Sequence, residues 1–275
     1  MNFAAVPPQT YDVITVGESM VLVASDPPAP LLDGRNLRLS TAGAESNVAA
    51  YVALLGSRSA WRGRIGADPF GELIRKQLRG VGVDVSMIEV DKSAPTGVYF
   101  KEPRGNGVAV YYYRHASAAS TMSRSVLDNF PVTRAVHLTG VTAALSDACM
   151  DMMVHALMER PLADVLMSFD VNYRPSLWPP ETARSVLSAL AGAADLVFVG
   201  RDEAQMLWGA RSADDVRVFL PGPATLVVKD ANVGATVYEG TSDGVFVPAP
   251  KVDVVDPVGA GDAFAAGYLH GLLKG

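Results

Sequence analysis

Short β-branched runs, each closed by a polar or glycine break, recur along the chain with amphipathic stretches between them. No other feature constrains the fold as much. The runs are YDVITVG from Tyr11, AVHLTGV from Ala135, VLMSFDVN from Val165, DLVFVG from Asp195 and TLVVKD from Thr225. The intervening stretches, AESNVAAYVALLG, PFGELIRKQLRGVG, ACMDMMVHALMER and PETARSVLSALAGA, carry helical periodicity. Gly56 stands where a C-terminal cap belongs, and Pro180-Glu181 suits a first helical turn. Strand–helix alternation of this kind implies crossover connections and a mostly parallel sheet covered on both faces, an α/β fold.

Two regions break the rhythm. NLRLSTAG and TGVYFKEPRGNGVAVYYYR alternate at period two, and the second contains a Pro-Arg-Gly-Asn-Gly turn. They predict a small antiparallel sheet inserted into the α/β core as a lid, with its strands within 19–42 and 95–115. The whole chain, 1–275, reads as one domain. Ligands of open α/β sheets bind at the carboxyl ends of the strands. Glu18, Asn172-Tyr173-Arg174, Glu203 and Lys229 all fall at such ends.

With 49% hydrophobic residues, the 275-residue chain can bury a large core. Its net charge of -6 argues against a nucleic-acid or anionic-membrane surface. One cysteine, Cys149, excludes an internal disulfide framework and fits a reducing compartment. The opening MNFAAVPPQTYDVITVG lacks the basic start and long apolar core of a secretory signal, so a cytoplasmic location is expected. The four histidines show no metal-ligand spacing.

Near the end, VDVVDPVGAGDAFAAGYLHG breaks at Asp256-Pro257, turns through Gly259-Ala260-Gly261 and places Asp262 where a helix begins. Amides at a helix start lack internal partners and attract anions, and glycines let a phosphate approach them closely. An acid beside a bound phosphate is repelled by it, so its presence points to chemistry. Asp262 would accept the proton of a hydroxyl that attacks the phosphate, while the turn stabilises the transferring group. Two rivals compete. GAGDAFAAG carries only half of a dinucleotide-binding fingerprint and opens no βαβ unit. A plain helix start with an acid for the dipole is the other. A Walker loop is excluded, because no Gly-Lys pair occurs in the chain.

DPVGAGDAFAAGYL closely resembles the C-terminal signature of the ribokinase-like carbohydrate kinases, and AGAESNVAAYVALLG followed by GRIGADPFG resembles their N-terminal one. The resemblance covers nearly the whole chain. It implies a three-layer ribokinase-like sandwich, ATP and Mg²⁺ as cofactors, a monovalent cation as a further candidate, and a homo-oligomer. By resemblance Asp262 is the base and touches the sugar. Gly259, Ala260 and Gly261 form the anion hole, and Gly43 and Asn47 hold sugar hydroxyls. Within the family, YYYRHASAAS and FDVNYRPSLW resemble members that phosphorylate 2-keto-3-deoxygluconate. Tyr99, Tyr112 and Arg114 would then contact the sugar acid, with Arg174 bridging sugar and nucleotide. Asn172, Lys229 and Gly234 would lie along ATP, and Glu203 would organise magnesium through water. Two arginines suit a carboxylate because the guanidinium fork matches it with paired hydrogen bonds. By period two, Tyr112 and Arg114 share one strand face while Tyr111 and Tyr113 take the other.

Two departures stand out. Where the family carries Asn-x-x-Glu, this chain reads Gly200-Arg201-Asp202-Glu203. Family members also run on by a few tens of residues past the last helix, so an incomplete C-terminal end is expected. A neutral-sugar kinase, or a catalytically weak binder of sugar acid or nucleotide, are the alternatives.

Overall fold

In the computed structural model, residues 10–33, 36–105, 107–253 and 258–274 are described. Asn106 of the expected hairpin turn and the Asp256-Pro257 break lie outside the described residues. The first half of the chain runs β1 (Tyr11–Val16), β2 (Met20–Ser25), β3 (Leu37–Ala42), α1 (Ala44–Leu54), β4 (Ser59–Arg62), β5 (Arg64–Gly66), α2 (Pro69–Gly80), β6 (Glu89–Asp91), β7 (Val98–Arg104) and β8 (Gly107–Tyr113). Next come β9 (Thr133–Thr139), α3 (Gly140–Ala143), α4 (Asp147–Val154), β10 (Leu166–Asp170), α5 (Pro180–Ala193) and β11 (Leu196–Gly200). The chain closes with α6 (Arg201–Trp208), α7 (Ala213–Phe219), β12 (Thr225–Asp230), β13 (Gly234–Glu239), β14 (Val245–Pro248) and α8 (Ala260–Lys274).

The main sheet has the order β14-β13-β12-β11-β10-β9-β1-β4. It is parallel from β12 to β4, and at one edge β13 pairs antiparallel with both β12 and β14. Period two sorts its side chains into two cores. Ile14, Val136, Leu138, Phe169, Val197 and Val199 pack on one face with residues of α4, α5 and α6. Val13, Ala135, Leu196, Phe198 and Val227 pack on the other with α1 and α8. Burial on both faces is why these strands read as continuous apolar runs. Phe198 fixes α8 by edge-on contacts to Phe264 (6.3 Å) and Tyr268 (5.5 Å). Such pairs add roughly 0.5–1.5 kcal/mol each beyond the area they bury.

The lid is a four-stranded sheet in the order β3-β2-β7-β8. Its two outer pairs are antiparallel as expected, but the central pair β2–β7 is parallel. The hairpin β7–β8 enters beside β2 from a distant part of the chain, so no tight turn dictates the pair's direction. Val21 and Val23 anchor the lid to Ile65, Ile74 and Leu78 in a third core. Gly56 adopts φ +88, the left-handed conformation of a residue just past a helix end. No helix among the described residues is long and apolar enough to cross a membrane.

Candidate active site

Between lid and main sheet lies a cleft of about 390 Å³. Gly43, Asn47, Tyr99, Tyr112, Arg114, Asn172, Arg174, Glu203, Lys229, Gly259, Gly261 and Asp262 all line it. Ala260 and Gly234 are not among the lining residues. Ala260 starts α8 and is exposed. Gly234 begins β13, where a Cβ would stand 2.3 Å from the Val247 carbonyl oxygen, which accounts for the glycine by packing alone.

Three elements converge on Asp262. The glycine turn brings it to the first turn of α8, and Gly259 holds φ +79, which strains any residue with a Cβ. From α1, Asn47 Nδ2 donates to Asp262 Oδ2 at 2.8 Å. Helix α1 comes this close because Gly43 meets the β1–β2 turn, where a Cβ would sit 2.2 Å from the Glu18 carbonyl oxygen. Burial pushes the Asp262 carboxyl up from 3.8 to about 6; Asp170 adds to the rise, and Asn47, Lys229 and Arg174 oppose it.

Lys229, the last residue but one of β12, is no surface lysine: its Nζ pairs with Asp170 Oδ2 at 2.6 Å, with side chains 17% and 2% exposed. Burial pulls this ammonium down, but the Asp170 and Glu203 carboxylates outweigh it and hold the pKa above the ordinary value. Nζ lies 3.4 Å from where a Cβ on Gly261 would stand, against the glycine turn. Asp170 also accepts from the Asn172 N–H at 3.2 Å. Asn172 takes φ +40, a conformation asparagine tolerates better than most residues, and its Oδ1 is buried without a partner among the described residues. Glu203 turns back on its helix start and accepts from the Gly200 N–H at 3.1 Å. Burial, then Asp170, pushes its carboxyl well above the usual range. A Cβ at Gly200 would stand 2.5 Å from Asp202 Oδ1, so an asparagine there would require Asp202 to move. Arg174, about half exposed, reaches Glu203 Oε1 at 3.5 Å.

On the lid the predicted alternation holds. Tyr99 and Tyr112 stack at 5.5 Å and the Arg114 guanidinium lies over the Tyr112 ring at 5.6 Å, all facing the cleft. Tyr111 and Tyr113 point the other way, to Glu102 and to the Phe100 ring. Arg114 has a partner the sequence did not suggest. Its Nη2 pairs with Glu18, which is 2% exposed and also accepts from Ser117. Arg114 Nε has no partner among the described residues. Asp170 was likewise missed; an acid ending a β-branched run, in FDVN, was the available signal.

The cleft gathers the buried Asp262 carboxyl at a helix start, whose first amides have no partner within the helix, together with a lysine and further carboxylate and amide oxygens. It is suited to moving a phosphoryl group onto a hydroxyl. Comparison with known proteins agrees. The pfkB family of carbohydrate kinases matches residues 11–275. The 2-dehydro-3-deoxygluconokinase of Bacillus subtilis (strain 168) is 38% identical over 96% of this chain and 84% of its own. That of Thermoproteus tenax is 36% identical over 96% and 82%. A PfkB protein from Polaromonas sp. JS666 superposes with TM-score 0.85 at 34% identity, covering 96% of this chain and 89% of that one. An uncharacterized sugar kinase from Pyrococcus horikoshii, solved in complex with ATP, gives TM-score 0.81 at 26% identity over 95% and 85%. With its large, mostly parallel sheet, its lid and its cleft, the chain belongs to the pfkB family of carbohydrate kinases.

Proposed function

We propose that this carbohydrate kinase transfers the γ-phosphoryl group of ATP to the primary hydroxyl of 2-keto-3-deoxygluconate, or a close acidic sugar, with Asp262 as general base. The observation that carries the reading is the Asp262 carboxylate, held by Asn47 in the cleft and pushed up to about 6. A base of that strength is ionised at neutral pH yet still able to take a hydroxyl's proton as the oxygen attacks. As the first residues of α8, Ala260 and Gly261 have N–H groups with no partner within the helix, and these would receive the transferring group, with Gly259 and Gly261 leaving the approach open. Lys229, fixed by Asp170, adds positive charge beside that turn.

Magnesium bound with ATP supplies charge neutralisation across the phosphates. The residues present fit it: Glu203 would hold it through water, and Asn172, which lines the same cleft and whose Oδ1 has no partner among the described residues, would add a hard oxygen donor. For the sugar, Tyr99 and Tyr112 would offer an aromatic wall, and Gly43 and Asn47 line the same cleft. Arg114 and the half-exposed Arg174, both lining the cleft, would supply donors for a carboxylate. The names of the two 2-dehydro-3-deoxygluconokinase relatives support the same substrate. One observation favours a neutral sugar instead: Glu18 already balances the Arg114 charge. The test is product identity. With ATP, Mg²⁺ and 2-keto-3-deoxygluconate, carbon and phosphorus NMR should place the new phosphate on the terminal CH₂ carbon. A phosphate elsewhere, or ATP hydrolysis without a sugar phosphate, would overturn the reading.

A further inference from the structure

The first turn of α1 sends three consecutive side chains to three different elements. Asn47 reaches α8 through Asp262, and Ser46 Oγ donates to Ser19 Oγ at 3.0 Å in the β1–β2 turn. Glu45 goes inward. Its Oε1 accepts from Thr139 Oγ1 at 2.8 Å and from Thr142 Oγ1 at 2.6 Å, at the junction of β9 and α3.

Glu45 is 0% exposed, and it does not line the cleft. A carboxyl in the first turn of a helix ordinarily gains from the dipole while staying hydrated. Here it has lost its water, a cost an apolar side chain would not incur. The surroundings are shaped around it. A Cβ on Gly17, at the end of β1, would stand 2.2 Å from its carboxyl carbon, so only glycine leaves it room. Oε2 is buried without a partner among the described residues. Burial pushes the carboxyl up to about 7; the Thr142 and Thr139 hydroxyls oppose the rise, and Glu18 adds to it. Neither substrate contact nor cheap packing accounts for such a group. A tie between α1 and the β9–α3 junction does.

We infer that Glu45 is a positioning residue for phosphoryl transfer: by fixing the first turn of α1 to Thr139 and Thr142, it holds Asn47 where Asn47 aligns Asp262. The inference rests on the reading of Asp262 as the base. A misplacement of about 1 Å in a reacting group can cost on the order of a hundredfold in rate. Glu45→Ala should therefore lower kcat for 2-keto-3-deoxygluconate by about tenfold or more, with KM for ATP little changed. Glu45→Gln keeps the acceptor for both hydroxyls and should stay within about threefold of the parent.

The decisive experiment is a double-mutant cycle with Asn47→Ala, kcat being measured per folded enzyme. If Glu45 acts through Asn47, its removal costs less than about twofold once Asn47 is gone. The same factor in both backgrounds would overturn the inference, as would parental kcat in Glu45→Ala or equal losses in the Ala and Gln variants. Should Glu45→Ala fail to fold, Thr142→Val removes one of the two hydroxyls at nearly constant shape and is read in the same cycle, with the same two outcomes. Asp262→Asn is assayed alongside. Full turnover there would overturn both readings, whereas a loss there beside an unaffected Glu45→Ala overturns only this one.

Discussion

Asp262→Asn exchanges a buried carboxylate for an amide of the same shape, and the structure predicts opposite effects on activity and stability. The amide cannot take a proton from the attacking hydroxyl, so kcat should fall by about 10²–10⁴-fold. Its Oδ1 can still accept from Asn47, so the sugar site should keep its shape. Stability works the other way. An acid whose folded pKa lies above its unfolded value stabilises the fold below the unfolded value and loses that contribution as pH rises through the folded one. For Asp262 that window runs from 3.8 to about 6. At about 1.4 kcal/mol per unit, the carboxylate costs the native state up to about 3 kcal/mol above the window. For a chain of this size that is a rise in Tm of at most about 10 °C for the variant near pH 8. The gap should close near pH 4, where both side chains are uncharged. Thermal denaturation of the two proteins across that range, beside a coupled ATP assay, reads both effects. An active variant would refute the base assignment. A variant less stable than the parent near pH 8 would refute the claim that the carboxylate is buried at a cost.

Arg114→Met should do more than weaken sugar binding, because it leaves the buried Glu18 without its counter-charge, a loss of about 3–5 kcal/mol for a broken buried pair. Glu18→Gln combined with Arg114→Met should recover most of that in denaturant unfolding; no recovery would mean that the pair does not govern the lid's stability. Glu203→Gln should raise the Mg²⁺ concentration needed for half-maximal activity without lowering Tm. Since burial raises the Glu203 pKa, the parent should bind Mg²⁺ more tightly as pH increases through neutrality, and an identical Mg²⁺ titration at acidic and alkaline pH would contradict its role.

How much of this was legible in the sequence depends on separation along the chain and on burial. Strands β1 and β9 to β12 announce themselves because both their faces are covered, so their residues run apolar without interruption. Strand β2 falls within the expected lid span 19–42, but MVLVAS lies only a few residues past β1 and lacks the alternation that marks the rest of the lid. Strand β4, four residues long, is too short for any period to show. Asp262 was readable because its glycines are neighbours in sequence. Glu18 lies 96 residues from Arg114 and Asp170 lies 59 residues from Lys229, so nothing in the sequence pairs them and only the assembled sheets bring them together. Glu45 was hidden for another reason. An acid in a first turn looks like an ordinary response to the helix dipole, and nothing local reveals that the β9–α3 junction will close over it.

The most direct test of the account is the ratio of kcat/KM for 2-keto-3-deoxygluconate to that for fructose, both with saturating ATP and Mg²⁺. The cleft's wall of Tyr99 and Tyr112, with the donors of Arg114 and Arg174 above it, is read as built for a carboxylate. One charged hydrogen bond is worth about 1.5–3 kcal/mol, so the acid should be preferred by at least about tenfold. Fructose turned over as well as the acid, or better, would contradict the account and assign the Glu18–Arg114 pair to the architecture of the lid.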